Sequence, residues 1–307
     1  MRIVSLLPSA TEWLFAMGVG DCVVGVTHEC DHPPEVEGLP AVTRDLLPSG
    51  LSAAEIDAAV TTGIRDQHTI YALDVDTLRA LQPDVVVAQQ LCDVCAVPVE
   101  AVAAAVCTLT PRARVVAADP HTLDDLLPAA VELGRAVDAT AGTRALVARL
   151  EDRLADVARA VADRPRPTVA MLEWPDPPWL PGHWAPDMIE RAGGTSLFGR
   201  SGAPSRRATF EEIAEVGAEV VIAAFCGFDL DATIALTDEI PHRGAWRSLT
   251  DGARLLAVDG SAYVSRPGPR LVDGVEVLAH ALHGFGGPPP AGAVAERRDG
   301  RWGAIAV

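Results

Sequence analysis

The sequence predicts an α/β protein, with two α/β lobes of mainly parallel sheet joined by a single long backbone helix. Three observations predict it. Short apolar, β-branched runs alternate with helical patterns in both halves of the chain, as in parallel sheets covered on both faces. One amphipathic stretch near the middle is longer than the rest and ends at paired prolines. At 307 residues, the chain exceeds one small core and fits two domains of ordinary size.

The first lobe spans residues 1–140. IVSLLP (3–8) is a buried strand, and Ser9-Ala-Thr-Glu12 reads as a capping box opening a helix that ends near Gly18 and Gly20. CVVGVT (22–27) is a second strand, and VDTLRALQ (75–82) is a short helix with Leu78 and Leu81 on one face. DVVVAQ (84–89) and RVVAAD (114–119) are strands, each followed by a helical pattern. Helical signal resumes after His121 and breaks near Asp138–Gly142.

The bridging helix occupies 141–164, with Leu146, Leu150, Leu154, Val157 and Val161 in one apolar stripe. About 20 helical residues run roughly 30 Å, enough to pass from one lobe to another. RPRP (164–167) stops it, since proline extends the residue before it. The second lobe, 165–307, repeats the alternation. TVAMLEW (168–174), EVVIAAF (219–225) and RLLAVD (254–259) are strands; DMIERAG (187–193), TFEEIAEVG (209–217) and PRLVDGVEVLAHALHG (269–284) are helices. The tail from about 285 opens as a flexible linker and offers an edge strand or hairpin around Asp299-Gly300.

Composition narrows the function. With 42 acidic against 25 basic residues the formal net charge is −17, which repels polyphosphate and excludes nucleic acid as a partner. No apolar run approaches the roughly 20 residues that span a bilayer, so the chain is not membrane-embedded. The opening MRIVSLLPSATEWLF lacks a cleavable leader pattern. The expectation is therefore a cytoplasmic protein with reduced cysteines, periplasmic or surface-anchored only if a leader precedes it.

In open parallel sheets, ligands bind beyond the carboxyl ends of the strands. The residues following each strand are therefore the candidates. They are Pro8, Ser9 and Thr11; His28, Glu29 and Cys30; Gln89, Gln90, Cys92 and Cys95; Glu173, Trp174, Trp179, His183 and Trp184; Cys226 and Phe228; Tyr263 and Arg266. Polar, sulfur and aromatic side chains thus gather at one end of every strand, which points to a cleft between two lobes. Cys22 and Cys107 fall at the other ends and read as ordinary buried small residues. Trp13 and Trp246 read as core, and Arg206 and Arg207 as a solvated surface pair.

The segments RIVSLLPSATEWLFAMGVGDCVVGVTHECDHPPEV, DVVVAQQLCDVCAV, LEWPDPPWLPGHWAPDMIERAGG, FCGFDLD and SAYVSRPGPRLVDGVEVLAH resemble the cobalamin-binding branch of the class III substrate-binding proteins. Those proteins serve ABC importers of cobalamin and iron chelates. The resemblance runs from residue 2 to about 284. It implies two α/β lobes on a rigid backbone helix and reversible binding of a corrinoid or metal chelate in the interlobe cleft, without catalysis. It also implies delivery to an ABC permease; a corrinoid-using enzyme is the other partner left open. The indoles of Trp174, Trp179 and Trp184 and the ring of Tyr263 suit a broad apolar macrocycle. Gln89, Gln90 and Arg266 suit its peripheral amides. The sequence departs from the importer proteins in lacking an export signal and in carrying four cysteines at the cleft.

Those cysteines leave alternatives open. Cys92-x-x-Cys95 reads as a redox pair, as half of a metal site, or as reduced thiols in a pocket wall. Cys30, Cys226 or His28 would complete a tetrahedral set for zinc, iron or an iron–sulfur cluster. His28 is also a candidate axial cobalt ligand. Glu173, between an apolar strand and Trp174, is expected to be buried with a raised pKa. A thiol- or metal-dependent enzyme on this fold is the further alternative. No phosphate-binding glycine loop and no G-x-S-x-G elbow occurs.

Overall fold

The computed structural model describes residues 1–65, 70–89, 113–240, 243–286 and 288–305. The chain divides into two compact units, Met1–Pro120 with Asp124–Arg149 and His121–Leu123 with Leu150–Val307. Each unit is α/β and is built on a mainly parallel sheet.

In the first unit, the sheet order is β2 (Val23–Gly25), β1 (Ile3–Ser5), β5 (Val85–Ala88) and β6 (Arg114–Ala117), all parallel. Every residue of β1 and β5 is buried, as continuous apolar runs in the middle of such a sheet require, whereas edge strand β6 is partly exposed. Val4, Leu6, Val42, Leu78 and Val86 make a core on one side. Trp13 is buried, as expected. Three elements gave no clear signal in the sequence: the antiparallel pair β3 (Thr43–Asp45) and β4 (Tyr71–Leu73), and the helix Ala53–Arg65.

The capping-box expectation needs correction. The first helix is Pro8–Ala16, its cap is Leu7 in extended conformation, and Ser9 and Thr11 lie inside the helix. Proline decides the start, because its φ is already helical and it has no N–H to leave unpaired at the first position. Thr11 instead donates its hydroxyl to the Leu7 carbonyl at 3.0 Å. The expected short helix is Val75–Leu81, capped by the Asp74 carboxylate accepting from the Thr77 N–H and ended by Gln82 at φ 43°.

Helix Leu126–Ala136 and the long helix Thr140–Val161 are separated where Asp138 takes φ 56°. Along the long helix Leu146, Leu150, Val157 and Val161 are buried and Leu154 half-buried. Arg153 on this helix forms ion pairs with Asp273 and Glu276 of the helix Arg270–His283.

The second unit has the sheet order β10 (Thr195–Ser196), β7 (Thr168–Leu172), β12 (Val220–Ala223), β13 (Arg254–Val258), β14 (Val294–Arg298) and β15 (Arg301–Gly303). The first four are parallel and the last two antiparallel. The tail hairpin turns at Asp299 (φ 50°) and Gly300 (φ 74°), two successive positive φ values that match the twist of the flanking strands. Leu172, Leu180, Phe210, Phe225 and Trp246 fill the core.

TVAMLEW is not one strand. β7 stops at Leu172, and the next residues join a separate antiparallel sheet in the order β11 (Arg206–Arg207), β9 (Pro178–Leu180), β8 (Trp174–Pro175). Pro175, Pro177 and Pro178 have no N–H for a central ladder, so the chain must leave the main sheet here. Among the described residues, no helix is long and apolar enough to cross a membrane.

Candidate functional site

In the first unit, the helix start and the loop after β2 come together. Cys30 Sγ lies 3.2 Å from Thr11 Oγ1 and 3.4 Å from Thr27 Oγ1, so the thiol is held between two hydroxyls. His28 Nδ1 meets Thr43 Oγ1 at 2.7 Å, and its ring packs against Tyr71 with centroids 5.2 Å apart. Glu29 Oε1 is 3.6 Å from His28 Nε2, a pair near the surface. Pro8 is half-buried, and Ser9 and Gln89 are buried at the ends of their elements. Gln90, Cys92 and Cys95, with Cys107, lie outside the described residues.

The second unit carries the more organised cluster. Trp174 of β8 faces Trp179 of β9, and Trp179 faces Arg207 of β11. Directly opposed residues of antiparallel strands share a face of the sheet. These three side chains therefore form one transverse row. Phe228, from the loop after β12, extends it against Trp174 at 5.5 Å between centroids and 49° between planes. Arg207 Cζ lies 5.4 Å from the centroid of the Trp179 ring, within cation–π range. The two indoles and Phe228 are half-buried. They can offer flat apolar surface to a ligand while the small sheet fixes their positions.

Glu173 ties the base of this row together. Its Oε2 accepts from Ser205 Oγ at 2.5 Å and its Oε1 from the Gly182 N–H at 3.4 Å. Its backbone N–H donates to the Trp179 carbonyl, and its carbonyl accepts from the Cys226 N–H, both at 2.9 Å. One residue thus joins three loops. Loss of water pushes its pKa up to about 8, and the Cys226 thiol adds to the rise against the pull of Ser205 and Gly182. Position 182 must be glycine, since a Cβ there would lie 2.2 Å from the Ser205 backbone nitrogen.

His183 sits at φ 49°, pinned by its N–H to the Ala203 carbonyl at 2.6 Å and its carbonyl to the Gly202 N–H at 3.0 Å. Burial, then the nearby His121, lowers its pKa. Trp184 is placed differently from the expected wall. It is 7% exposed and its indole N–H donates to the Val264 carbonyl at 2.7 Å, so it anchors the loop from inside. Tyr263 ends the helix Gly260–Tyr263, capped by Asp259, and burial followed by the Asp259 charge raises its pKa. Arg266 is half-buried close to Asp259, whose own pKa is raised by burial.

Of the four candidate cysteine ligands, Cys92 and Cys95 lie outside the described residues. Cys226 is exposed beside Glu173 in the second unit, and Cys30 belongs to the first. Among the described residues, no three His, Cys, Asp or Glu side chains are grouped so as to hold a metal ion. Cys22 is half-buried, less enclosed than its sequence context suggests. Ser205, Thr43 and Tyr71 were not legible as site residues, because each acts through a partner distant in sequence. Arg206 and Arg207 are exposed as expected, but the pair divides. Arg206 bonds Glu212 at 2.6 Å, whereas Arg207 stacks on Trp179.

Residues 3–248 match the sequence model of a family described as periplasmic binding protein. Among curated proteins none matches. Solved structures do. A periplasmic heme binding protein from Pseudomonas aeruginosa is 22% identical, with a TM-score of 0.71, over 97% of this chain and 98% of its own. A periplasmic vitamin B12 binding protein of Vibrio cholerae is 20% identical, with a TM-score of 0.66, over 91% of this chain and 94% of its own. An ABC-type Fe3+-hydroxamate transport system from Saccharomonospora viridis is 21% identical, with a TM-score of 0.64, over 92% and 93%. At such identities the likeness shows a common fold.

Proposed function

This chain belongs to the periplasmic binding protein family, and we propose that it binds a small metal chelate reversibly, without turnover, and that the chelate is a corrinoid. The observation that carries the reading is the row of Trp174, Trp179 and Phe228 on the small sheet of the second unit. Such a row supplies broad apolar surface at little conformational cost, which suits a macrocycle. The solved proteins of this fold named above are described by heme, vitamin B12 and ferric hydroxamate, three metal chelates. That range supports the class. The corrinoid choice rests on the loop sequences around GHW and SRPGPRLVDG. Tyr263 and Arg266 add a ring and a donor group at the end of β13. Delivery of the chelate to an ABC permease or to a corrinoid-using enzyme follows from the same reading.

The test is a titration of the purified, metal-analysed protein with hydroxocobalamin, hemin and a ferric hydroxamate in parallel, following tryptophan emission and the visible bands. Saturation at one equivalent of hydroxocobalamin, tighter than the other two, supports the corrinoid reading. Preference for hemin or the hydroxamate retains the class and overturns the corrinoid. Binding of none, with tightly held zinc or iron in the metal analysis, overturns both in favour of a cysteine metal site that includes Cys92 and Cys95.

A further inference from the structure

Four non-glycine residues among those described take positive φ: Gln82, Asp138, His183 and Asp299. Gln82 ends a helix, Asp138 separates two, and Asp299 turns the tail hairpin. His183, at φ 49°, lies instead in the loop after β9, and such backbone is costly for a side chain away from turns and caps. Two main-chain bonds hold it there. Its N–H donates to the Ala203 carbonyl at 2.6 Å and its carbonyl accepts from the Gly202 N–H at 3.0 Å. The same loop closes onto the base of the aromatic row, because Gly182 and Ser205 both bond the Glu173 carboxyl. The ring is half-buried beside Trp184, with centroids 5.6 Å apart, and Trp184 is itself anchored to Val264. Among the described residues, the imidazole has no hydrogen-bond partner. Burial, then His121, shifts it toward the neutral form, which carries the lone pair that binds a metal.

We propose that His183 is a ligand to the metal of the bound chelate, replacing the exchangeable water on its open axial face. This rests on the function proposed above and deepens it. The imidazole lone pair forms the new metal–nitrogen bond, the metal–oxygen bond breaks, and water leaves. No electron or proton is transferred, and the metal keeps its oxidation state. Trp174, Trp179 and Phe228 then give affinity for the flat body of the ligand, and His183 reads the metal and its free coordination position. A chelate whose axial position is closed by a tightly held ligand binds by the row alone.

The experiment is a cycle of two ligands and three proteins at pH 7. Hydroxocobalamin, whose axial water exchanges, is compared with cyanocobalamin, whose cyanide closes that face, on the wild type, His183→Asn and His183→Gly. Asn and Gly both accept positive φ, so the loop keeps its path while the imidazole is removed. On the wild type, hydroxocobalamin is expected to shift its visible bands on binding. Either variant should abolish that shift and weaken hydroxocobalamin about tenfold, and weaken cyanocobalamin by no more than about twofold. Retained cyanocobalamin binding shows that the variants are folded. Equal weakening of both ligands overturns the proposal and leaves His183 as a support of its loop. Wild-type bands that stay unmoved on binding, or a shift that survives in the variants, overturn it while the corrinoid reading stands. If the wild type takes hemin but no corrinoid, the corrinoid reading has failed. The Soret band of bound hemin then carries the same test. Its displacement in His183→Asn supports ligation of iron, and an unmoved band overturns it. If the wild type takes neither macrocycle, the reading of the site falls and this proposal with it.

Discussion

Glu173→Gln tests the knot beneath the aromatic row, because it removes the ionisable group while leaving an oxygen to accept from the Gly182 N–H and an amide NH2 to donate to the Ser205 hydroxyl. The folded carboxyl holds its proton up to about pH 8, against 4.5 for an ordinary Glu. Below the lower value the group is protonated in folded and unfolded chains alike and contributes nothing. Between the two, the unfolded chain releases the proton and the folded chain keeps it, so stability falls as pH rises. Above the upper value both forms are ionised and the loss is complete. The full displacement sets a ceiling of about 5 kcal/mol, and the residue's partial exposure brings the expectation to about 2 kcal/mol. Urea unfolding followed by tryptophan emission is the assay. Five of the six tryptophans, all except Trp13, lie in the second unit and report on it. From pH 5 to pH 8.5, the wild type should lose about 2 kcal/mol relative to the variant. Parallel pH profiles would refute the reasoning and place Glu173 in contact with water.

Three further outcomes follow from the same geometry. Gly182→Ala should cost about 3 kcal/mol in unfolding experiments, because a Cβ 2.2 Å from the Ser205 nitrogen meets backbone that cannot step aside. Arg153→Ala breaks the ion pairs to Asp273 and Glu276, which are about one-third exposed. It should lower stability by about 1–2 kcal/mol, less at high salt, as read from Tm at two ionic strengths. Trp174→Ala should weaken hydroxocobalamin about tenfold in a fluorescence titration, and unchanged affinity would remove the aromatic row from the site.

The main sheets were legible because their strands obey simple rules. VVVA, VVIA and RLLAV are short apolar runs, and all but the first residue of the last is buried. The long helix was legible from its stripe, and the tail hairpin from Asp299-Gly300. The elements between 34 and 74 were not. β3 and β4 are three residues each and only partly buried, so they carry no long apolar run. The site was half legible. Reading the ends of strands located Glu173, Trp174, Trp179 and Phe228, and the expectation of a raised Glu173 pKa held. Ser205 and Arg207 were missed because β11 is two residues long, and its pairing with β9 leaves no periodic trace in SRRATF. Trp184 was misplaced for a related reason. An indole after a strand suits a wall or a core equally, and only the Val264 carbonyl within reach of its N–H decides for the interior.

What unites these residues is preorganisation. A ligand that must order two indoles on binding loses affinity to the entropy of fixing them. Here that ordering belongs to folding. The prolines force Trp174 and Trp179 off the main sheet onto a ladder of their own. Glu173, whose pKa burial pushes up to about 8, joins the loops with its ionised form disfavoured beside an apolar surface. Gly182 permits the approach of Ser205 that makes this closure possible. Trp184, which spends its N–H on Val264 from within, carries the support one layer deeper. A carboxyl so enclosed is poorly placed to exchange protons with a substrate, and the side chains it supports are apolar. The arrangement therefore suits holding a flat ligand in one orientation.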